Sequence, residues 1–165
     1  MQAPVYHNQL PIALSPGVMV IPQKIYTERS GLFETPASVV FPVPVNLQYA
    51  AARAYANEPA FQARVATSAA DRLKFTLRIE WPGYRPWNSA IQGRERDNGA
   101  DPVHLWVLVE RIANAVKKFL HENKEHEPPV NGLDVKDISL DRLVLLELRQ
   151  VSAGSWQPVL ALQVQ

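Results

Sequence analysis

Residues 73–80, LKFTLRIE, alternate without a break. Leu73, Phe75, Leu77 and Ile79 fall on one side, and Lys74, Thr76, Arg78 and Glu80 on the other. Side chains of a strand point alternately to its two faces, so this stretch predicts a strand with one dry face and one wet face. It constrains the fold more than any other segment, because such a strand needs sheet neighbours and a cover for its apolar side. Trp81 continues the apolar side, so it is expected to anchor in the core. Pro82 and Gly83 then occupy the second and third positions of a type II turn.

The cover is expected to be a helix at about 102–122. Asp101 reads as its cap and Pro102 as its first residue. Leu105, Leu108 or Val109, Ile112, Val116 and Phe119 recur at helical spacing. Residues 123–133, NKEHEPPVNGL, are a polar, proline-punctuated loop. Ser139 is placed to cap a single helical turn. Segments 143–151 and 156–164 read as two strands of a hairpin joined at Ala153-Gly154-Ser155. Pro158 removes a ladder donor, which predicts an edge at least around that residue. Asn46 and the alanine-rich NLQYAAARAYAN predict a helix over 46–57, and EPAFQARVA a short second one with Pro59 in its first turn.

Half of the 14 prolines precede residue 46, and residues 1–45 carry just Lys24, Glu28, Arg29 and Glu34 as charged side chains. Proline fixes φ and lacks a donor, which argues against long helix or central strand there. The segment is too apolar for a solvated tail (Val18, Met19, Val20, Ile21, Val39, Val40, Phe41), so it reads as an extended arm lying on its own domain or on a partner chain. The expected architecture is α+β: an extended Pro-rich arm over 1–45, then a single domain over 46–165 with a small antiparallel sheet packed against one long helix. Leu77, Ile79, Trp81, Ile112, Val116, Phe119, Leu146 and Leu148 are the expected core.

The chain of 165 residues is 47% hydrophobic and 20% charged, enough apolar content for a real core. Its net charge of +1 argues against whole-surface binding of nucleic acid or anionic membrane. It has no cysteine, which excludes disulfides, thiol nucleophiles and thiolate metal sites. The N-terminus is a poor secretory signal and no run is long enough to span a membrane, so a cytoplasmic or nuclear location is expected.

Two segments, WPGY before the long helix and VSAGSWQP near the end, resemble those of a group of uncharacterised fungal proteins typical of mushroom-forming species. The resemblance covers about residues 75–160, leaves the proline-rich arm outside, and implies no activity and no catalytic residue.

Catalytic readings find little to rest on. Ala153-Gly154-Ser155-Trp156-Gln157 lacks the second glycine of a serine-hydrolase elbow, so Ser155 reads as a turn residue. His121 and His126 stand five apart, off the spacing that puts two metal ligands on one helix face, and read as a solvated helix end. His104 and Glu110 fall on different helix faces. No cofactor, metal or catalytic group is expected. Residues 72–96 do carry Arg72, Lys74, Arg78, Arg85, Arg94 and Arg96 against Glu80 and Glu95, interleaved with Trp81, Tyr84 and Trp87. Arginine with aromatics can contact a protein partner or stack on bases and neutralise phosphate. Tyr84, Arg85, Trp87, Arg94 and Arg96 are therefore the expected contact residues, with Trp87→Ala expected to leave stability nearly unchanged. The functional expectation is a non-catalytic interaction module, self-associating or bound to a protein partner. The alternative is a nucleic-acid-binding module using 72–96, and the second alternative a divergent hydrolase.

Overall fold

The computed structural model describes residues 17–26, 37–65, 74–95, 101–127 and 130–164. In chain order they form β1 (Val18–Val20), β2 (Ser38–Asn46), α1 (Leu47–Ala51), β3 (Lys74–Ile79), β4 (Trp87–Gln92), α2 (Leu105–Asn123), β5 (Leu143–Ser152) and β6 (Ser155–Gln163), with short 3-10 turns between some of them. The class is α+β with one long helix. The sheet is larger than expected: six strands in the order β2-β5-β6-β3-β4, with β1 also on β6. It is mixed, since β3 meets β6 in parallel at Thr76–Ser155 and Leu77–Trp156, while the other pairings are antiparallel.

The extended arm is not what the described residues of 1–45 form. β1 pairs with the end of β6, and β2 pairs with β5, both within the same chain. Val39, Phe41 and Val45 are buried and Ser38, Val40 and Val43 exposed, so the segment has the patterning of a half-buried strand. Pro42 and Pro44 are tolerated because β2 ends the strand order, and the register with β5 shifts between Val40 and Val45, where they lie. The rest of the arm, 1–16 and 27–36, lies outside the described residues.

Three local expectations shift as well. The 46–57 helix stops at Ala51, because Arg53 turns to φ 63°, and resumes only as a 3-10 turn, Ala54–Asn57. Asn46 does cap α1, accepting the Tyr49 N–H at 3.0 Å. The second helix is a 3-10 turn, Pro59–Phe61. The long helix starts at Leu105, not at Pro102. Residues 102–104 are extended instead, bridged to Arg64 on one side and Arg94 on the other. Val65 N–H donates to Val103 O at 2.9 Å, and Val103 N–H to Gly93 O at 3.1 Å. Val103 is fully buried, which explains why the chain stays extended there.

One core joins α2 to the sheet. Leu108, Ile112, Val116 and Phe119 meet Phe75, Leu77 and Ile79 of β3, Leu143, Leu145 and Leu148 of β5, and Trp156 and Leu160 of β6. Leu146 is buried too, but on the other face with Val144 and Ala161. A register shift between Leu145 and Glu147 is the reason: the extra residue interrupts the alternation. The strands of this hairpin are buried over most of their length. No helix among the described residues is long and apolar enough to cross a membrane.

Phe119 is fully buried. Phe119→Ala is expected to cost about 3–5 kcal/mol in urea unfolding. A cost below about 1 kcal/mol would be incompatible with this packing.

Candidate functional site

The stretch from Trp81 to Glu95 runs the length of α2. At its first end, Tyr84 N–H closes the turn on Trp81 O at 3.1 Å, and Gly83 has φ 86°, the left-handed third position that a type II turn demands. The indole of Trp81 donates to Leu133 O at 2.8 Å. The Tyr84 hydroxyl accepts the Val135 N–H at 3.1 Å and donates to Asp134 Oδ1 at 3.3 Å. The turn therefore pins the 133–135 loop.

Trp81, Tyr84 and Trp87 all meet the same ring, with centroids 5.6, 6.4 and 5.8 Å from that of Phe119. Trp87 is half-buried, and its indole donates to Glu122 Oε2 at 2.7 Å. Glu122 in turn lies 3.8 Å from Lys118 Nζ. Of the expected contact residues, Tyr84 and Trp87 thus share an aromatic cluster, and Arg85 is exposed beside it. Arg94 lies at the far end of the stretch, bridged to Pro102, and Arg96 lies outside the described residues. His121, on α2, bonds to neither Trp87 nor Glu122; its carbonyl accepts the Lys124 N–H.

At the second end, β4 reaches the first turns of α2. Arg111 Nη1 donates to Gln92 O at 2.6 Å and to Arg94 O at 3.3 Å. Beside it opens a cleft of about 290 Å³, walled by Val103, Trp106 and Val107 and rimmed by charge. Arg53 Nε donates to Glu110 Oε1 at 2.8 Å. Glu95 Oε1 takes Arg64 at 3.1 Å and lies 3.7 Å from His104 Nε2. His104 is further held through Nδ1, 2.6 Å from Gln62 O. His104 and Glu110 do not pair: each has its own partner.

Sequence reasoning missed this cleft. Its side chains come from 53, 95, 103 and 106–111, segments with no local relation. One signal was present: Trp106, Val107, Glu110 and Arg111 follow the i, i+1, i+4, i+5 spacing of a single helix face, adjacent to the apolar stripe.

Sheet, covering helix and rim together define an α+β domain with a single mixed sheet and one long helix across its dry face. The chain belongs to the family described as a domain of unknown function (DUF6741), whose match spans residues 38–162. The match begins with β2 and ends within β6, so β1 precedes it. No curated protein and no solved structure matches the chain.

The cluster changes what is expected of Trp87. Trp87→Ala removes a ring contact and an indole hydrogen bond, and is expected to cost about 1–3 kcal/mol by thermal or urea unfolding, whereas exposed Arg85→Ala is expected to stay within about 0.5 kcal/mol. Equal costs for the two would show that Trp87 does not carry the packing.

Tyr84 also sets an alkaline limit. Burial raises its phenol above the ordinary value, the Val135 N–H acts the other way, and Asp134 adds to the rise. A raised folded value means that the native state holds the proton more tightly than the unfolded chain. The associated stability is complete below pH about 10 and is lost as pH climbs through the folded value. Tyr84→Phe is expected to flatten part of that alkaline fall, with Tyr55, also raised chiefly by burial, supplying another part. An identical pH profile for wild type and Tyr84→Phe would contradict this.

Proposed function

We propose that the chain is a non-catalytic interaction module that self-associates through the outer edge of β4. The observation that carries this is the contrast between the two ends of the strand order. β2, at one end, is interrupted by Pro42 and Pro44. β4, at the other, is WNSAIQ, with no proline and no charge to discourage a neighbour. Edge strands without such protection are templates for pairing with another chain. Trp87 fixes one end of β4 on Phe119, and Arg111 fixes Gln92 at the other, so the strand is held at both ends. Two copies aligned antiparallel would form a closed two-fold interface. Arg85 and Tyr84 would flank it, which keeps the 84–96 stretch as the contact region. The proposed location is the cytoplasm or nucleus, and the mushroom-type fungal grouping remains part of this proposal.

A second reading is nucleic-acid binding by the basic stretch. It is favoured by one observation: Trp87, two residues from exposed Arg85, is linked through Glu122 to Lys118.

Light scattering at high micromolar concentration is expected to show a dimer. Asn88 and Ala90 carry exposed side chains, so Asn88→Lys with Ala90→Lys is expected to give a folded monomer. A monomeric wild type, or a double variant that stays dimeric, would refute the edge. Binding to single-stranded DNA or RNA that falls steeply with salt would favour the second reading, since each neutralised phosphate contributes roughly −0.7 to the log–log slope.

A further inference from the structure

The cleft at the start of α2 is independent of the β4 edge, and its chemistry is asymmetric. Arg53 is held by Glu110 through Nε alone, so its two terminal nitrogens make no bond among the described residues. Arg111 uses Nη1 for the Gln92 and Arg94 carbonyls and leaves its other nitrogens without a partner among the described residues. The indole N–H of half-buried Trp106 likewise has none. Against these donors stand one oxygen each of Glu95 and Glu110, since the other carboxylate oxygens are already taken. Donors outnumber acceptors, and guanidinium and indole N–H groups suit an oxyanion.

Backbone conformation adds a second, separate observation. Arg53 has φ 63° and ψ 22°, the only positive φ outside glycine among the described residues. A left-handed residue with a Cβ is disfavoured, and glycine would serve the bend more cheaply. A strained residue whose side chain rims a cleft points from the outlier towards a use for that side chain.

Size and charge narrow the ligand. A cleft of about 290 Å³ is at the small end for ligand sites and has room for one ring with a substituent. Half-buried Trp106 and Val107, backed by buried Val103, offer an apolar patch for a planar body. The two carboxylates at the rim repel a dianion more than a monoanion. We infer that the cleft binds a small planar monocarboxylate, its carboxylate taken by Arg53, Arg111 and the Trp106 indole and its ring lying on the apolar patch.

The test is a titration of the full chain with sodium benzoate, followed by the indole N–H resonances in a nitrogen-15 correlation spectrum. Trp106→Phe assigns the reporting peak. Benzamide and inorganic phosphate are the controls. A saturable shift of the Trp106 peak with benzoate is expected, with little from either control. Arg53→Gly relieves the strained φ, so it is expected to keep or raise the melting temperature while weakening benzoate by about tenfold, as loss of a charge-assisted hydrogen bond implies. Arg111→Met is expected to weaken it similarly; should that variant not fold, Arg53→Gly alone decides. No saturable shift would overturn the inference, as would unchanged affinity in folded Arg53→Gly. Phosphate or benzamide binding as well as benzoate would overturn the ligand class.

Discussion

Phe119 is the point at which the helix, the sheet and the turn between β3 and β4 are joined. Three aromatics within seven residues, Trp81, Tyr84 and Trp87, converge on its ring. Each also carries a polar handle: those of Trp81 and Tyr84 reach the 133–135 loop, and that of Trp87 reaches Glu122 on α2. Aromatic pairs contribute about 0.5–1.5 kcal/mol each beyond the area they bury. Three such contacts are a substantial fraction of a net stability of about 5–15 kcal/mol. The aromatic bodies thus supply burial, and the N–H and O–H groups supply direction, so the turn cannot slide along the helix without leaving buried donors unpaired.

That anchorage determines what happens at a distance. With Trp87 at Phe119, β4 has to run back towards the start of α2. Five strand residues cover about 16 Å, and the eight helical residues from Phe119 to Arg111 about 12 Å. The two spans are comparable, and Gln92 comes within reach of Arg111, where the guanidinium takes its carbonyl. The cleft wall of Val103 follows from the same geometry, because Val103 N–H bonds to Gly93 just beyond β4. A local aromatic cluster at one end of the helix thereby positions a charged rim at the other.

What could be read from the sequence is what local rules govern. Strand 74–79, the Pro-Gly turn, the interior of α2 and the terminal hairpin follow from alternation, turn chemistry and helical period. β2 was illegible for the opposite reason. Its pairing partner lies about a hundred residues away, and its prolines argue against a strand everywhere except at the end of a sheet, a position only the assembled fold reveals. The start of α2 was misplaced because Asp101-Pro102 is a good helix start locally, and tertiary burial of Val103 overrode it. Leu146 is buried as expected, but in the smaller cluster on the other face from Leu148, a division that the alternation could not show because a bulge leaves no periodic trace. Within the contact stretch, Trp81 was recognisable as an anchor by continuing the β3 alternation. Tyr84 and Trp87 offered no such pattern, because their partner is on a helix rather than a neighbouring strand.

Pro158 shows how the fold resolves a local conflict. It lies in β6, a strand with neighbours on both sides, where a missing donor should be costly. In a strand the N–H and C=O of one residue point to the same edge. The Pro158 carbonyl faces away from β5, accepting Gln23 Nε2 at 2.6 Å, so the absent N–H faces that way too and the β5 ladder loses nothing. On that edge β3 pairs only with residues 155–156 and β1 with 161–163, which leaves a gap where Pro158 sits. Segment 21–26 closes it with side-chain amides. Gln23 bridges Pro158 O and Glu80 N–H, while Gln157 accepts the Tyr26 N–H and donates to Lys24 O. Two glutamines thus substitute for a continuous strand. Residues 21–26 are therefore bonded into the sheet beside the centre of β6, so this part of the nearly uncharged stretch packs on its own chain.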